Sequence, residues 1–301
     1  MSFKNKDLNQ NDNAPQLLKG HIHWYPGHIA KAEKALKNKL SLVDAVIEVL
    51  DSRIPFSSCY NNIESLLGEK PRLILLNKVD LVEKPELTKW IEFLEKKSGC
   101  TVLTTDAKNS KSLSSVVSKA IELSEPKIQA LMKKGLLRRP ARIMVVGMPN
   151  VGKSSIINKL TRTSKTKVGA KAGVTRQQQW VRINPKLDLL DTPGIIPMKQ
   201  ENQDVAVRLA CVNSVSENAY EKEIIAKDLL EILSKNYEPK VREYYNLTED
   251  DSLSVENVAK RRNWITSGAE PNIQRASATI LNDFREGRIG KFVLDEFIEE
   301  Q

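Results

Sequence analysis

Three features of this chain require an α/β fold with a mostly parallel sheet, followed by a small all-helical C-terminal domain. Short apolar runs alternate with helical periodicity through the first two hundred residues. Three polar motifs each begin where one of those runs stops. From about residue 203 to 298 the pattern is helical and no clear strand run recurs. Strands alternating with helices build a largely parallel sheet covered on both faces, and such sheets bind ligands at the carboxyl ends of their strands.

Taken in order, residues 1–20 are polar, include Asp7 and Asp12, and contain no apolar stretch. They are expected to be a flexible extension rather than a secretory or transit peptide. Segments 43–50, 72–76, 101–104, 142–146, 178–183 and 187–190 read as strands, and 85–97 and 112–123 as amphipathic helices. Asn77 follows the run 73–76, Gly147 follows 143–146, and Asp191 follows 187–190, so three strand ends should converge on one crevice. Further on, Ile273, Ala276, Ile280, Leu281 and Phe284 repeat at the spacing of one buried helix face. The expected organisation is an extension at 1–20, an α/β domain at 21–200 and a helical domain at 201–301.

Composition narrows the class. The chain has 301 residues, of which 40% are hydrophobic, enough for one α/β core and a smaller module. No apolar run approaches the roughly 18–20 residues that a membrane-spanning helix needs. Cys59, Cys100 and Cys211 are isolated and odd in number, which argues against a disulfide frame or zinc site and for a reducing, cytoplasmic compartment. The charge is unevenly spread. Residues 1–198 carry 33 Lys and Arg against 18 Asp and Glu, a net of +15, whereas 199–301 carry 14 against 20, a net of −6. A basic face meeting a polyanion such as RNA would produce this split, and so would lysines that merely solvate the surface. Within the acidic part, Lys260, Arg261, Arg262, Arg275, Arg285, Arg288 and Lys291 are expected either to touch RNA or to serve helix solubility.

The motifs carry the chemistry. Gly147-Met148-Pro149-Asn150-Val151-Gly152-Lys153-Ser154 has the form GxxxxGKS. Its backbone amides can cradle phosphates at a helix N-terminus, and the glycines allow close approach. Lys153 reaches the β/γ-phosphates, Ser154 ligates Mg²⁺, and Val151, Gly152 and Ser155 complete the cradle. Asn77-Lys78-Val79-Asp80 is an NKxD tetrapeptide. The Asp80 carboxylate can accept from the N1–H and 2-amino group of guanine, a donor pair that adenine lacks, and a buried acceptor left unpaired is costly. Asn77 would hold the base edge and the loop, and Lys78 would lie along the ring. Thr105-Asp106-Ala107-Lys108 stands where a SAK-like motif belongs, with the Ala107 amide near guanine O6, although Asp106 departs from that pattern. In Asp191-Thr192-Pro193-Gly194, Asp191 should hold Mg²⁺ through water and the Gly194 amide should meet the γ-phosphate. Thr175 lies between the phosphate motifs and is the candidate switch threonine closing on Mg²⁺; a loop threonine of no special role is the alternative.

NKxD precedes the phosphate loop by about 70 residues, the reverse of the usual order. The chain is therefore read as a circularly permuted P-loop GTPase domain binding GTP and GDP. With these residues in hand, the sequence resembles the RbgA/YlqF family of circularly permuted GTPases. The resemblance runs through His23-Trp24-Tyr25-Pro26-Gly27-His28-Ile29-Ala30-Lys31-Ala32, Asp51-Ser52-Arg53-Ile54-Pro55, Gln178-Gln179-Trp180 and Ile280-Leu281-Asn282-Asp283-Phe284. It departs mainly at Tyr25, Ile29 and the polar extension. The resemblance implies a GTP cycle coupled to late assembly of the large (50S) ribosomal subunit, with that subunit and its rRNA as partners, no DNA or membrane partner, and a monomeric protein.

The resemblance also frames the catalytic question. Many GTPases orient the attacking water with a Gln just after DxxG, but Ile195 stands there and can neither donate nor accept. Family resemblance points to His28 as the residue that orients the water, its neutral imidazole accepting near neutral pH; a helix cap or an RNA contact is the alternative. At the Asn150 position, GTPases of this kind use Asn to help coordinate K⁺ beside the β/γ-phosphates, unless it is simply a polar loop residue. A nucleotide-regulated RNA-binding scaffold with negligible turnover is the competing reading, favoured by Ile195. A small-subunit branch of permuted GTPases is disfavoured, because the chain has no Cys/His cluster and no room for an added domain before residue 40.

Overall fold

The computed structural model describes residues 22, 34, 36–60, 63–106, 111–163, 179–191 and 202–297. A six-stranded sheet organises the first part: β1 (Ala45–Asp51), β2 (Arg72–Asn77), β3 (Val102–Thr105), β4 (Ala141–Gly147), β5 (Gln179–Asn184) and β6 (Leu187–Asp191). Its spatial order is β3-β2-β1-β4-β6-β5. All neighbours are parallel except the β5–β6 hairpin. The strands are apolar and β-branched because both faces are covered: every residue of β1 and β2 is buried.

Helices α1 (Ile63–Leu67), α2 (Lys84–Ser98), α3 (Lys111–Lys133) and α4 (Lys153–Thr163) connect the strands. Helix α2 begins with Pro85 in its first turn and ends at Gly99, whose left-handed φ of 64° lets its N–H close on Glu95 O. Helix α3 runs ten residues past the expected end at 123, through Pro126. A proline inside a helix forfeits one backbone hydrogen bond. Here the buried stripe Leu113, Val116, Ala120, Ser124 and Ile128 continues across it, and that packing outweighs the loss.

The second part contains α5 (Gln203–Cys211), α6 (Lys222–Tyr245), α7 (Val255–Arg261) and α8 (Ile273–Arg285), and no strand longer than an isolated bridge among the described residues. Asn202, Ser254 and Asn272 cap α5, α7 and α8 with their side chains. The expected face of α8 is present: Ala276, Ile280, Leu281 and Phe284 are buried, with Ile273 packed at its edge. The two parts share one hydrophobic core. Ile22, fully buried, bridges to Tyr220. Among the described residues no helix is long and apolar enough to cross a membrane.

Much of the basic stretch is paired within the fold. Arg285 donates to Cys211 O and Ala210 O at 3.0 Å each and to the Tyr220 hydroxyl at 2.9 Å, and pairs with Glu217 at 3.1 Å. It therefore satisfies the last carbonyls of α5 rather than presenting charge outward. Arg261 pairs with Asp251, Arg288 with Asp283 and Glu286, Arg262 donates to Tyr244 O, and Arg275 lies over the Trp264 ring. Only Lys260 and Lys291 of this set are exposed without a side-chain partner among the described residues. Arg285→Ala should destabilise the fold by about 3 kcal/mol, since it strands the buried carbonyls at the end of α5. A lowered midpoint in equilibrium denaturant unfolding checks this.

Candidate nucleotide site

Parallel strands bring their carboxyl ends to one edge, so Asn77 ends β2, Gly147 ends β4 and Asp191 ends β6. The order β2-β1-β4-β6 places them within about 14 Å of one another across the sheet. Between them lies Asp51, the last residue of β1 and the register partner of Asn77.

The phosphate loop is shaped by two glycines that cannot be replaced. A Cβ on Gly147, at φ +146°, would lie 2.3 Å from Val49 O, and one on Gly152, at φ +104°, 2.1 Å from Asn77 Nδ2. The second contact shows how tightly the base-reading turn abuts the phosphate loop. Asn77 Nδ2 donates to Val151 O at 2.7 Å, and Ser52 N and Oγ donate to Asn77 O at 2.9 and 2.7 Å. Lys78 adopts the left-handed region, φ 62°. Its ammonium donates to Asn150 O and Asp51 Oδ2, both at 2.8 Å. The expected stacking of Lys78 on the base is thus left to its alkyl stem.

Asp51 is fully buried. Burial opposes its ionisation, but the charge and hydrogen bonds of Arg53, followed by those of Lys78, hold its carboxyl well below the usual range. Lys153 is also buried, with its ammonium on Met148 O, and burial pulls its pKa down to about 8. Ser154 and Ser155 are exposed in the first turn of α4, where phosphate and a hard cation would lie. These residues fit a nucleotide polyphosphate with Mg²⁺: Lys153 has only a loop carbonyl to give up, and oxygen donors stand at the helix head.

Two predicted site residues occupy other surroundings. Asn150, at φ 57°, donates its amide to Asn213 O at 2.6 Å, and Ser214 Oγ donates to Pro149 O at 2.8 Å. The turn after α5 thus holds the phosphate loop. Thr105 is fully buried and its hydroxyl pairs with Ser112 at 2.9 Å, so its side chain braces the segment between β3 and α3 instead of facing a ligand. His28, Ala107, Lys108, Thr175 and Gly194 lie outside the described residues, as does the side chain of Asp191. Sequence reasoning missed Asn213 and Ser214, which no motif marks. It quoted Asp51, Ser52 and Arg53 only as part of a resemblance.

The comparisons with known proteins agree with this geometry. A family model described as a 50S ribosome-binding GTPase matches residues 142–254. Ribosome biogenesis GTPase A of Bacillus cereus is 34% identical over 91% of this chain and 93% of its own length. The protein of that name from Thermotoga maritima is 34% identical over 90% and 92%.

The chain belongs to the ribosome biogenesis GTPase A (RbgA/YlqF) family.

Mitochondrial ribosome-associated GTPase 1 of Mus musculus is 35% identical over 93% of both chains. Among solved structures, GDP-bound YlqF of T. maritima superposes with a TM-score of 0.62 at 30% identity, covering 87% of this chain and 98% of that one. The family-model match opens at β4, the strand that delivers the phosphate loop, and leaves Asn77–Asp80 upstream of it. That is the permuted order of RbgA/YlqF GTPases, and the chain is a GTP hydrolase of this type.

Lys153 makes nucleotide affinity depend on pH. Phosphate favours the ammonium and raises its pKa above the free value of about 8. Affinity is therefore full below pH 8 and falls as pH rises from 8 toward the bound-state pKa. Calorimetry of GDP binding at pH 8.5 in buffers of different ionisation enthalpy should show proton uptake, and Lys153→Arg should abolish it.

Proposed function

We propose that this GTPase acts in assembly of the large ribosomal subunit, binding an immature particle in its GTP form and leaving after hydrolysis. The observation that carries the nucleotide half of this reading is the pair of bonds from Asn77 to Val151 O and from Lys78 to Asn150 O. They make the base-reading turn and the phosphate loop one rigid receptor. Asp80, on the same turn, accepts from guanine. Ser154, Thr175 and Asp191 would hold Mg²⁺, which would supply positive charge against the phosphates. The names of the relatives, ribosome biogenesis GTPase A and mitochondrial ribosome-associated GTPase 1, and the +15 net charge of residues 1–198 support a ribosomal particle and its RNA as the partner. The arginines of the helical part add less to that contact than their number suggests, because most are paired internally. A cytoplasmic, monomeric protein without DNA or membrane partners completes the reading, as does the division at residues 20 and 200.

In the proposed cycle the particle orders His28 near the γ-phosphate, where its neutral imidazole accepts from the attacking water. Ile195 cannot perform that task, so turnover is slow until the particle arrives. GTP hydrolysis by the full chain should rise strongly with purified large subunits and not with small ones, and His28→Ala should remove that rise while leaving GDP affinity within about twofold. Equal stimulation by both subunits would overturn the partner, and an unchanged stimulated rate in His28→Ala would overturn the role of His28.

Asn150 is the proposed K⁺ ligand. Its amide nitrogen is held by Asn213 O, which leaves the side-chain oxygen to serve a monovalent cation beside the phosphates. Such a cation supplies the positive charge that an arginine finger supplies elsewhere. The stimulated rate should therefore be about tenfold or more higher in K⁺ than in Na⁺ at equal ionic strength, a contrast of about 1.4 kcal/mol in the barrier. Equal rates in the two salts would remove K⁺ from the site.

A further inference from the structure

The turn that carries Asp80 is short and is closed by Leu81 N on Lys78 O at 3.0 Å and Val82 N on Val79 O at 3.4 Å. It is a three-residue 3-10 turn, Val79–Leu81, with no buried residue and no side-chain cap, entered through the left-handed Lys78. Its N-terminal side is fixed by β2, by Asn77 and by the Lys78 ammonium. Its C-terminal side packs on α2 through Val82 and Trp90 and also meets, about two hundred residues away in sequence, the segment that follows α8.

That segment, residues 286–297, leaves the helical part and runs back across the α/β part. Phe292 N donates to Leu81 O at 3.2 Å. Val293 packs with Val82 and Trp90. Gly287, at φ +72°, lies so close that an added Cβ would sit 2.6 Å from Leu81 Cδ2. Leu294 N donates to Arg53 O at 2.8 Å. Asp295 then accepts from Phe56 N at 2.7 Å, Ser57 N at 2.9 Å and the Ser57 hydroxyl. The same loop begins with Ser52, which holds Asn77 O. The strap therefore grips the base-reading turn at Leu81 and Val82, and reaches Asn77 through the 52–57 loop.

We propose that the C-terminal strap, residues 286–297, is a specificity-determining support for guanine recognition, which sets where Asp80 meets the base. The inference rests on the guanine-nucleotide reading of this site. Asp80 must place one carboxylate against two donors of the base, so a shift of the turn costs the second hydrogen bond before it costs the phosphate contacts, which belong to a different loop. Gly287, Phe292 and Asp295 are positioning residues in this scheme and do not touch the nucleotide.

The test compares GDP with inosine diphosphate, which lacks only the 2-amino group, by competition against a fluorescent GDP analogue on the full chain. Wild type should prefer GDP by about tenfold or more, the worth of one such hydrogen bond. Gly287→Val pushes on Leu81 and should shrink that preference severalfold while changing inosine diphosphate affinity little. Asp295→Asn, which weakens the grip on the 52–57 loop, should act in the same direction and carries the comparison if Gly287→Val does not fold. A preference unchanged in a folded variant, with both affinities lowered together, would overturn the inference, because a merely structural strap moves both. A wild type that binds ADP as tightly as GDP would instead overturn the guanine-site reading itself, whatever the variants do.

Discussion

A buried carboxylate needs partners, and Asp51 takes them from both sides. It sits at the end of β1, between the base-reading turn and the phosphate loop, with no exposure. Arg53 binds it through Nε at 2.9 Å and Nη2 at 2.7 Å, and Lys78 through Nζ at 2.8 Å. Each cation is also committed elsewhere. Lys78 holds Asn150 O, whereas Arg53 donates to Arg285 O at 3.2 Å and lies over the Phe284 ring. One charge thus ties the guanine turn, the phosphate loop and α8 to a single point. Removing one partner would leave Asp51 paired with the other, but would untie the structural part that the lost cation also holds.

The permuted chain order explains why such a point is needed. The sheet is indifferent to where the chain starts, because strand order and hydrogen bonding do not record it. The exits are not indifferent. After β6 the chain passes from Asp191 into the helical part, and the turn beyond α5 comes back to the phosphate loop through Asn213 and Ser214. Arg285 of α8 clamps the carbonyls at the end of that same helix. The helical part therefore touches the nucleotide site on two sides, at the phosphate loop through α5 and at the base turn through residues 286–297. Both loops are joined to α8, since Arg285 contributes its side chain to one route and its carbonyl to the Arg53 route.

The sheet was legible because its signals are local. Each strand lies within two residues of the apolar run that marks it, and the three ligand motifs fall at strand ends because a parallel sheet leaves its polar residues nowhere else to go. The end of α3 was misplaced because Pro126 argues locally against a helix, while the stripe reaching Ile128 argues for one only when the sheet beneath is known. The basic residues near the C-terminus could not be sorted for a related reason: charge is visible in sequence, but pairing is not. Arg285 and Arg288 look alike until tertiary structure gives one the carbonyls of α5 and the other Asp283. Asp295 and Phe292 carry no motif, and only the return of the chain to the base turn gives them a role. Thr105 belongs to a segment at a motif position, whereas only the tertiary structure shows its hydroxyl taken by Ser112.

The described part of the site is built in advance of its ligand. Asn77, Lys78 and Ser214 already hold the carbonyls of Val151, Asn150 and Pro149, and Lys153 rests on Met148 O. GDP and GTP share the base and the α- and β-phosphates, and of these residues only Lys153 is expected to reach the γ-phosphate as well. A preformed cradle therefore confers affinity for both and discriminates weakly between them. Switching must then come from groups outside the cradle that reach the γ-phosphate, and in the proposed reading those are Thr175 and Gly194, on either side of β5 and β6. Of the two, Gly194 lies eight residues before Asn202, the cap of α5. In that reading a γ-phosphate held by Gly194 would act close in sequence to the start of α5, the helix whose last carbonyls Arg285 satisfies. The proposed route for the nucleotide state into the helical part would therefore leave the cradle as it is.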